Sequence, residues 1–170
     1  MSSLINEKNS AIEPRVIFLT GSTGTLGKEL VKRFLWTTQD RLVLLIRSQN
    51  RHSHWDRVRK MLSAFDLEIF LGSRVQVLNG DVSQPDLGLS VDELGMLREQ
   101  TTDFFHVAAL TALNGSESDC YRINLDGTIA ALKLASDFWE RGKLRRFYYF
   151  STAYVAGSLQ NYVSYEDELP

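Results

Sequence analysis

The sequence of 170 residues predicts an α/β fold built on a doubly wound parallel sheet. Short apolar runs alternate with amphipathic helical patterns, and five such runs occur along the chain. The runs are mainly apolar and do not alternate between apolar and polar residues, which is typical of parallel strands that are buried on both faces. A glycine-rich turn joins the first run to the first helical pattern. We therefore expect the amino-terminal five-strand portion of a Rossmann fold, with the strand order 3-2-1-4-5.

Each predicted strand is a run of four or five residues. Val16–Leu19 begins with β-branched residues and is closed by Thr20 and Gly21, which marks a buried strand. The later strands are Leu42–Ile46, Val75–Leu78, Phe104–Val107 and Arg146–Phe150.

Helices are predicted between the strands from apolar residues at helical spacing. The second helix is expected to be long, from Trp55 to about Phe70. Ser90 is expected to begin a short third helix, with Glu93 completing a capping box. The buried face of the first helix is predicted to comprise Leu26, Leu30, Val31, Phe34 and Leu35.

The fourth predicted helix is the longest and extends from about Ser116 to Arg141. We expect the aromatic residues near its end, Phe138 and Trp139, to lie in the core. The residues predicted to face inward are Leu125, Ile129, Leu132, Ala135 and Trp139.

The composition argues against several classes of protein. Nineteen basic and 21 acidic residues give a net charge of -2 without any block of like charges, so no nucleic-acid partner is expected. The single cysteine, Cys120, excludes an internal disulfide framework, and no cysteine or histidine has ligand spacing for a metal.

The apolar runs are too short for a membrane span, so we expect a cytoplasmic protein. Residues 1–14 are expected to be a disordered leader or linker, and residues 15–170 a single domain.

The turn after the first strand has the pattern that binds the phosphates of a dinucleotide. Gly21 permits a tight turn, Gly24 lets the backbone approach a pyrophosphate, and Gly27 lets the helix pack close to the sheet. The amino terminus of the following helix adds free N–H groups and a partial positive charge. The alternative is a turn that serves only the fold. The predicted cofactor-binding residues here are Thr20, Gly21, Ser22, Thr23, Gly24, Thr25, Leu26 and Gly27.

The end of the second strand favours NADP over NAD. An acidic residue at this position binds the ribose 2′-hydroxyl of NAD, but here Arg47 and Ser48 follow the strand. An arginine can pair with a 2′-phosphate through two hydrogen bonds. The alternative for Arg47 is a solvated charge at the end of a strand.

Asp81 and Val82 follow the third strand at the same edge of the predicted sheet. The carboxylate of Asp81 is placed to accept a hydrogen bond from an adenine amino group. An Asx turn within Asn79–Asp81 explains this aspartate equally well.

Five short motifs occur in order over residues 15–157, and five ordered matches are far more specific than one. In this order they resemble the motifs of the extended short-chain dehydrogenase/reductase family. They are Thr20-Gly21-x-x-Gly24-x-Leu26-Gly27, Gly80-Asp81-Val82, His106-Val107-Ala108-Ala109, Asn124-Leu125-Asp126-Gly127-Thr128 and Ser151-Thr152.

Within that family the chain looks most like thioester reductase domains. Gly80–Ser90 resembles the segment that follows the third strand in this branch, which includes terminal reductases of nonribosomal peptide synthetases, carboxylic acid reductases and fatty acyl-CoA reductases. The resemblance implies NADPH-dependent reduction of an acyl thioester, carried by a carrier protein or CoA, to an aldehyde or alcohol. It also implies a place in a larger multidomain synthetase.

The resemblance gives roles to residues near the cofactor. It implies that Thr152 donates a hydrogen bond to the developing oxyanion and that Asn124 orders a polar relay. It also adds Ala108, Ala109 and Ser151 to the cofactor-binding residues. Ser151 and Thr152 have a purely structural alternative as turn residues.

Two features depart from the family pattern. Val107 stands where the family often has asparagine, and no tyrosine is followed four residues later by lysine. Because the family places its Tyr-x-x-x-Lys pair beyond the fifth strand, we expect the chain to be the amino-terminal part of a longer reductase and to be inactive alone. Three tyrosines lie beyond the fifth strand, Tyr154, Tyr162 and Tyr165, and the residues four positions after them are Ser158, Glu166 and Leu169.

Two alternative functions stay open at this point. One is a sugar-nucleotide epimerase or dehydratase of the same superfamily, in which an acid is favoured where this chain has Arg47. The other is a dinucleotide-binding module without catalytic activity.

Overall fold

Five parallel strands form one sheet in the order 3-2-1-4-5, which confirms the predicted topology. The computed structural model describes residues 14–49, 52–112, 115–152 and 165, so the predictions for residues 1–13, Tyr154 and Tyr162 lie outside the described residues. The strands agree with the predicted runs to within one residue at each end. They are β1 Val16–Thr20, β2 Arg41–Ile46, β3 Val75–Asn79, β4 Asp103–His106 and β5 Arg146–Tyr149.

Helices cover both faces of the sheet. Successive residues of β1 point to opposite faces, so Ile17 and Leu19 contact the core under the first two helices, whereas Phe18 contacts the core under the third and the last helix. None of the helices in the described part of the chain is long and apolar enough to cross a membrane. The helices are α1 Thr25–Thr37, α2 His54–Ser63, α3 Val91–Gln100, α4 Glu117–Cys120 and α5 Gly127–Arg141, with a π-helical segment at Tyr121–Asp126 between the last two.

The second helix is shorter than predicted. It ends at Ser63, and three residues later Asp66 takes a left-handed conformation with φ of 57°. The backbone N–H of Leu67 then donates to the carbonyl oxygen of Leu62 at 3.0 Å, which is the closing bond of a Schellman motif. Leu67 is buried beneath this turn, so the chain leaves the helical path in order to place a leucine in the core.

The predicted inward face of the last helix is wrong. Of its five residues only Ala135 is buried, and Trp139 is 63% exposed. Gly127 lies against Val82, so a small side chain there allows close packing against the segment after β3. Both faces of α5 are apolar, and the face with smaller residues is the one that fits. Phe138 is fully buried, as predicted. The buried residues of α5 are Gly127, Ala131, Leu134, Ala135 and Phe138. Leu26 of α1 is likewise exposed, against the prediction.

Two arginines close the edge of the sheet at which the strands begin, which we call the amino edge. Arg15 donates to both carboxylate oxygens of Asp40, through its backbone N–H at 2.9 Å and its Nη2 at 2.6 Å. The guanidinium of Arg74 donates to the carbonyl oxygens of Leu35, Thr38 and Asp40 at 2.8–3.2 Å. Arg74 therefore satisfies carbonyl groups that the end of α1 leaves free.

Candidate functional site

A cleft of about 320 Å³ lies at the opposite, carboxyl edge of the sheet, where the strands end. Most of its lining residues lie at the ends of β1, β2, β3 and β4, and the strand order reverses between β1 and β4, which is the usual ligand position in such sheets. The predicted residues that line it are Gly21, Thr23, Gly24, Arg47, Asp81, Val82, Ala108 and Ala109.

The three glycines of the turn have different structural requirements. Gly21 has φ of 74°, and a Cβ there would lie 2.5 Å from the backbone nitrogen of Ala108. A Cβ at Gly27 would overlap the carbonyl oxygen of Gly21, so α1 packs directly onto the turn. A Cβ at Gly24 would meet only one atom within 4 Å, at 3.3 Å. Glycine is therefore needed for the fold at Gly21 and Gly27, whereas Gly24, which lines the cleft, is the least crowded of the three.

The amino terminus of α1 has no side-chain cap. Gly24 occupies the N-cap position, and the first turn has no acidic residue. By contrast, α2 and α3 begin with capping boxes, and the Ser90–Glu93 box confirms the prediction for α3. The first N–H groups of α1 and its partial positive charge are therefore available to an anion in the cleft.

Some predicted residues of the turn do not line the cleft. Thr20 and Ser22 are fully buried, and Gly27 is buried under α1. Thr25 and Leu26 are exposed on the first turn of α1. These residues support or flank the turn, and Oγ1 of Thr20 lies within hydrogen-bond distance of His106 at the end of β4.

Arg47 faces the cleft with its side chain 43% exposed, and its Nη1 lies 3.5 Å from Oδ2 of Asp81. Beside it lies Arg57 of α2, which the sequence analysis missed. Arg57 donates to the carbonyl oxygen of Arg47 at 2.6 Å and to Oγ1 of Thr23 at 2.9 Å. Burial, and then the charge of Arg47, lower the pKa of Arg57 below its ordinary value. Among the described residues, the charged groups that line the cleft are the guanidinium groups of Arg47 and Arg57 and the carboxylate of Asp81.

Asp81 uses its two carboxylate oxygens differently. Oδ1 accepts from the backbone N–H and the hydroxyl of Ser83 at 3.0 and 2.9 Å, which is an Asx turn, and Oδ2 faces Arg47. Burial alone would raise the pKa of Asp81, but the hydrogen bonds from Ser83 and the charge of Arg47 lower it below its ordinary value. Asp81 is therefore a carboxylate at neutral pH, and it both shapes its turn and lines the cleft.

The two predicted catalytic residues, Asn124 and Thr152, are not among the residues that line the cleft. The side chain of Asn124, in the π-helical segment, accepts from the N–H of Leu110 at 2.7 Å and donates to its carbonyl oxygen at 3.1 Å. Ser151 and Thr152 follow β5 at the carboxyl edge and are exposed. Val107, which departs from the family pattern, lines the cleft with its neighbours. Within the described residues no group of three or more histidines, cysteines or acids is arranged to hold a metal.

Proteins named as reductases are among those that resemble the chain in sequence and in structure. The chain is 29% identical to isonitrile lipopeptide synthase of Mycobacterium tuberculosis, over 98% of this chain and 7% of that protein. It is 28% identical to fatty acyl-CoA reductase 1 of Pongo abelii, over 84% of this chain and 29% of that protein. The terminal R domain from the myxalamid biosynthetic pathway superposes with a TM-score of 0.70 at 33% identity, covering 84% of this chain and 36% of that one. The chain thus spans less than a third of the length of these two relatives.

An epimerase is a more distant neighbour. UDP-glucuronic acid 4-epimerase of Bacillus cereus has a TM-score of 0.63 at 21% identity, over 91% of this chain and 45% of that one, which shows the shared fold alone. By contrast, the profile of a family described as male sterility protein matches residues 19–168. The chain therefore belongs to the male sterility protein family of NAD(P)-binding oxidoreductase domains, in the thioester reductase branch of the short-chain dehydrogenases/reductases.

Proposed function

We propose that this chain binds NADP(H) in preference to NAD(H) and is the cofactor-binding part of a reductase of acyl thioesters. The observation that carries the preference is the pairing of Arg47 and Arg57 at one end of the cleft. The names of the relatives support the substrate class, because they include fatty acyl-CoA reductases and a lipopeptide synthase.

The cleft fits a dinucleotide at its phosphate end. The uncapped first turn of α1 offers backbone N–H groups, and Gly24 leaves space for a pyrophosphate to approach them. No acidic residue in the first turn of α1 opposes the negative charge. These residues would therefore hold the pyrophosphate, as the sequence predicts.

The arginine pair fits a 2′-phosphate. Arg57 lies close enough to Arg47 for the two charges to repel, and Asp81 is the carboxylate beside them. A bound phosphate dianion would relieve that repulsion and offer both guanidinium groups charged acceptors. The 2′-hydroxyl of NAD has no charge to offer, so these arginines favour NADP.

The chemistry of the proposed reaction requires few residues of this chain. NADPH supplies a hydride to the carbonyl carbon of the thioester. Thr152, after β5, would donate a hydrogen bond to the carbonyl oxygen as negative charge develops there. Asn124 would keep the cleft in shape through its two bonds to Leu110. The thioester itself, on CoA or on a carrier protein within a synthetase, is the proposed partner.

Calorimetric titration with NADPH and NADH tests the cofactor. Arg47→Ala and Arg57→Ala should each weaken NADPH binding by about 10–100-fold, because each removes a charged hydrogen bond, and leave NADH nearly unchanged. Arg59→Ala is the matched control, since Arg59 is an exposed arginine of the same helix that does not line the cleft. Equal losses for both cofactors would contradict the preference.

Oxidation of NADPH by acyl-CoA or an acylated carrier protein tests the reaction, with the protein at the full length that its gene encodes. Thr152→Ala should slow this oxidation about 100-fold, in line with the loss of one oxyanion donor, and Thr152→Ser should retain most of it. A full-length protein that binds NADPH yet oxidises it with neither thioester would refute the proposed substrate class.

A further inference from the structure

A series of hydrogen bonds links the end of β1 to the wall of the cleft, and we call it the His106 relay. Oγ1 of Thr20 lies 3.0 Å from Nδ1 of His106, and Nε2 of His106 lies 3.3 Å from Oγ1 of Thr128. The hydroxyl of Thr128 donates to the backbone carbonyl oxygen of Asn124 at 2.6 Å. The side chain of Asn124 in turn binds the backbone N–H and carbonyl of Leu110. The relay thus joins two strands and the last helix to a single loop.

The relay assigns one tautomer to the buried imidazole of His106. The hydroxyl of Thr128 has one hydrogen, which its short bond to a carbonyl uses, so its oxygen accepts from Nε2–H of His106. The oxygen of Thr20 accepts from two backbone N–H groups at 3.3 Å each, so its own hydrogen points at Nδ1. Burial lowers the pKa of His106 to about 4. The ring is therefore neutral at neutral pH, with its hydrogen on Nε2.

The loop held by the relay, residues 107–110, forms one wall of the cleft. Thr20 accepts from the N–H groups of its first two residues, and Asn124 binds its last residue. Gly21 packs against the same loop, where the Cβ that glycine lacks would lie 2.5 Å from a backbone nitrogen. A shift of this loop would therefore change the width of the cleft at the glycine-rich turn.

We propose that His106 is a positioning residue for the cofactor cleft, which acts through Thr20 and Thr128 to hold residues 107–110 against the glycine-rich turn. The proposal rests on the dinucleotide binding proposed above. His106 itself is 1% exposed and does not line the cleft, so it acts only through its neighbours. Its effect differs in kind from that of Arg47, because the loop faces the turn and not the site proposed for the 2′-phosphate.

Two substitutions separate the two bonds of the imidazole. His106→Asn keeps an acceptor near Nδ1 and so the bond to Thr20, but loses the donor to Thr128. His106→Gln keeps a donor near Nε2 and so the bond to Thr128, but loses the acceptor for Thr20. Because Thr20 holds the loop directly, the asparagine variant should retain more cofactor affinity than the glutamine variant.

The binding experiment measures NADPH and NADH affinity by calorimetry for variants that circular dichroism shows to be folded. His106→Gln and Thr20→Val should lower the affinity for both cofactors equally, by about tenfold, since each loses hydrogen bonds that hold the wall. Thr20→Ser and His106→Asn should each retain most of the wild-type affinity for both cofactors. Thr37→Val is the control for the change from threonine to valine. Thr37 also donates a hydrogen bond to a backbone carbonyl, but it is exposed at the end of α1 and does not line the cleft. Unchanged affinity in folded His106→Gln and Thr20→Val would overturn the proposal.

Nuclear magnetic resonance tests the relay without any cofactor. In ¹⁵N-labelled protein at neutral pH, His106 should show a protonated Nε2 and an unprotonated Nδ1. Amide hydrogen exchange at Val107, Ala108 and Leu110 should accelerate in Thr20→Val, while exchange within β2 stays unchanged. A protonated Nδ1, or unchanged exchange in the loop, would overturn the relay. If the wild-type protein has the predicted tautomer and exchange but binds neither dinucleotide, the proposed function fails and the relay is retained as a structural network.

Discussion

The two edges of the sheet both carry arginines and aspartates, but they use them in opposite ways. At the amino edge, Arg15 makes three hydrogen bonds to Asp40, and Arg74 binds the end of α1 through backbone carbonyl groups. At the carboxyl edge, Arg47 has one contact of 3.5 Å with Asp81 and stays 43% exposed. The first arrangement satisfies its charges within the protein, whereas the second leaves charge directed at a cleft.

The pKa values of Arg15 at the amino edge and of Arg57 at the carboxyl edge are shifted in opposite directions. The hydrogen bond to Asp40 raises the pKa of Arg15, while burial and the charge of Arg47 lower the pKa of Arg57. Arg15 gains hydrogen bonds and charge from Asp40, whereas Arg57 is desolvated and lies near the like charge of Arg47. The charges at the amino edge therefore stabilise the fold, whereas those at the carboxyl edge are suited to binding an anion.

Gly24→Val should have the largest effect on binding and should show whether the two edges are independent. A Cβ at Gly24 would meet a single atom, the carbonyl oxygen of Gly21 at 3.3 Å, so the fold needs only a small shift to accept it, but the side chain would block the approach of a pyrophosphate. We expect no calorimetrically detectable binding of NADPH, with the free energy of unfolding changed by less than about 1 kcal/mol. Undiminished affinity in the folded variant would mean that the turn serves only the fold.

We expect the folded protein to lose stability in mild acid, because burial lowers the pKa of His106 at the carboxyl edge. Its surroundings are Thr20, Thr128 and the rings of Phe104 and Tyr149. Its pKa is about 4 in the folded protein and 6.5 in the unfolded chain, so its contribution to stability is complete above pH 6.5 and is lost as the pH falls to about 4. The loss should approach about 3 kcal/mol.

Urea denaturation at a series of pH values measures this loss. In His106→Gln the free energy of unfolding should vary much less between pH 6.5 and 4, because the titrating group is absent. The same pH dependence in the variant would assign the effect to other groups.

Asp40→Ala should destabilise the amino edge without affecting the cleft. Removing a buried partner of an ion pair typically costs about 3–5 kcal/mol, and we expect about 2 kcal/mol here because the side chain of Arg15 is 30% exposed. Urea denaturation at neutral pH measures the change, and NADPH affinity under native conditions should equal that of the wild type. A parallel fall in affinity would show that the two edges are coupled.

Asp66→Gly should give the smallest effect, a gain in stability at the end of α2 that is remote from the cleft. Asp66 has φ of 57°, which glycine adopts without strain, so the free energy of unfolding should rise by about 0.5–1 kcal/mol. Thermal denaturation measures the gain, with Asp92→Gly on the first turn of α3 as a control that should not stabilise. A loss of stability in Asp66→Gly would mean that the aspartate side chain supports this turn.

The topology and the glycine-rich turn were predictable from the order of the residues. Buried parallel strands need apolar runs, and the left-handed φ of Gly21 and the contact of Gly27 with Gly21 belong to one turn, whereas the packing of Gly21 against Ala108 is a long-range contact. The capping box of Ser90 and Glu93 was predictable for the same reason, because it involves residues three apart. The position of Arg47 at a strand end, and with it the expected cofactor preference, also follows from the local sequence.

The buried face of α5 and the arginine that lies beside Arg47 depend on tertiary packing. Both faces of α5 are apolar, so hydrophobicity could not choose between them, and close packing at Gly127 did. Arg57 lies on a different element from Arg47, and its position beside Thr23 depends on how α2 packs on the sheet. The Thr20–His106 bond likewise joins residues 86 positions apart. Local patterns specify elements and turns, whereas contacts between distant residues form only when those elements pack together.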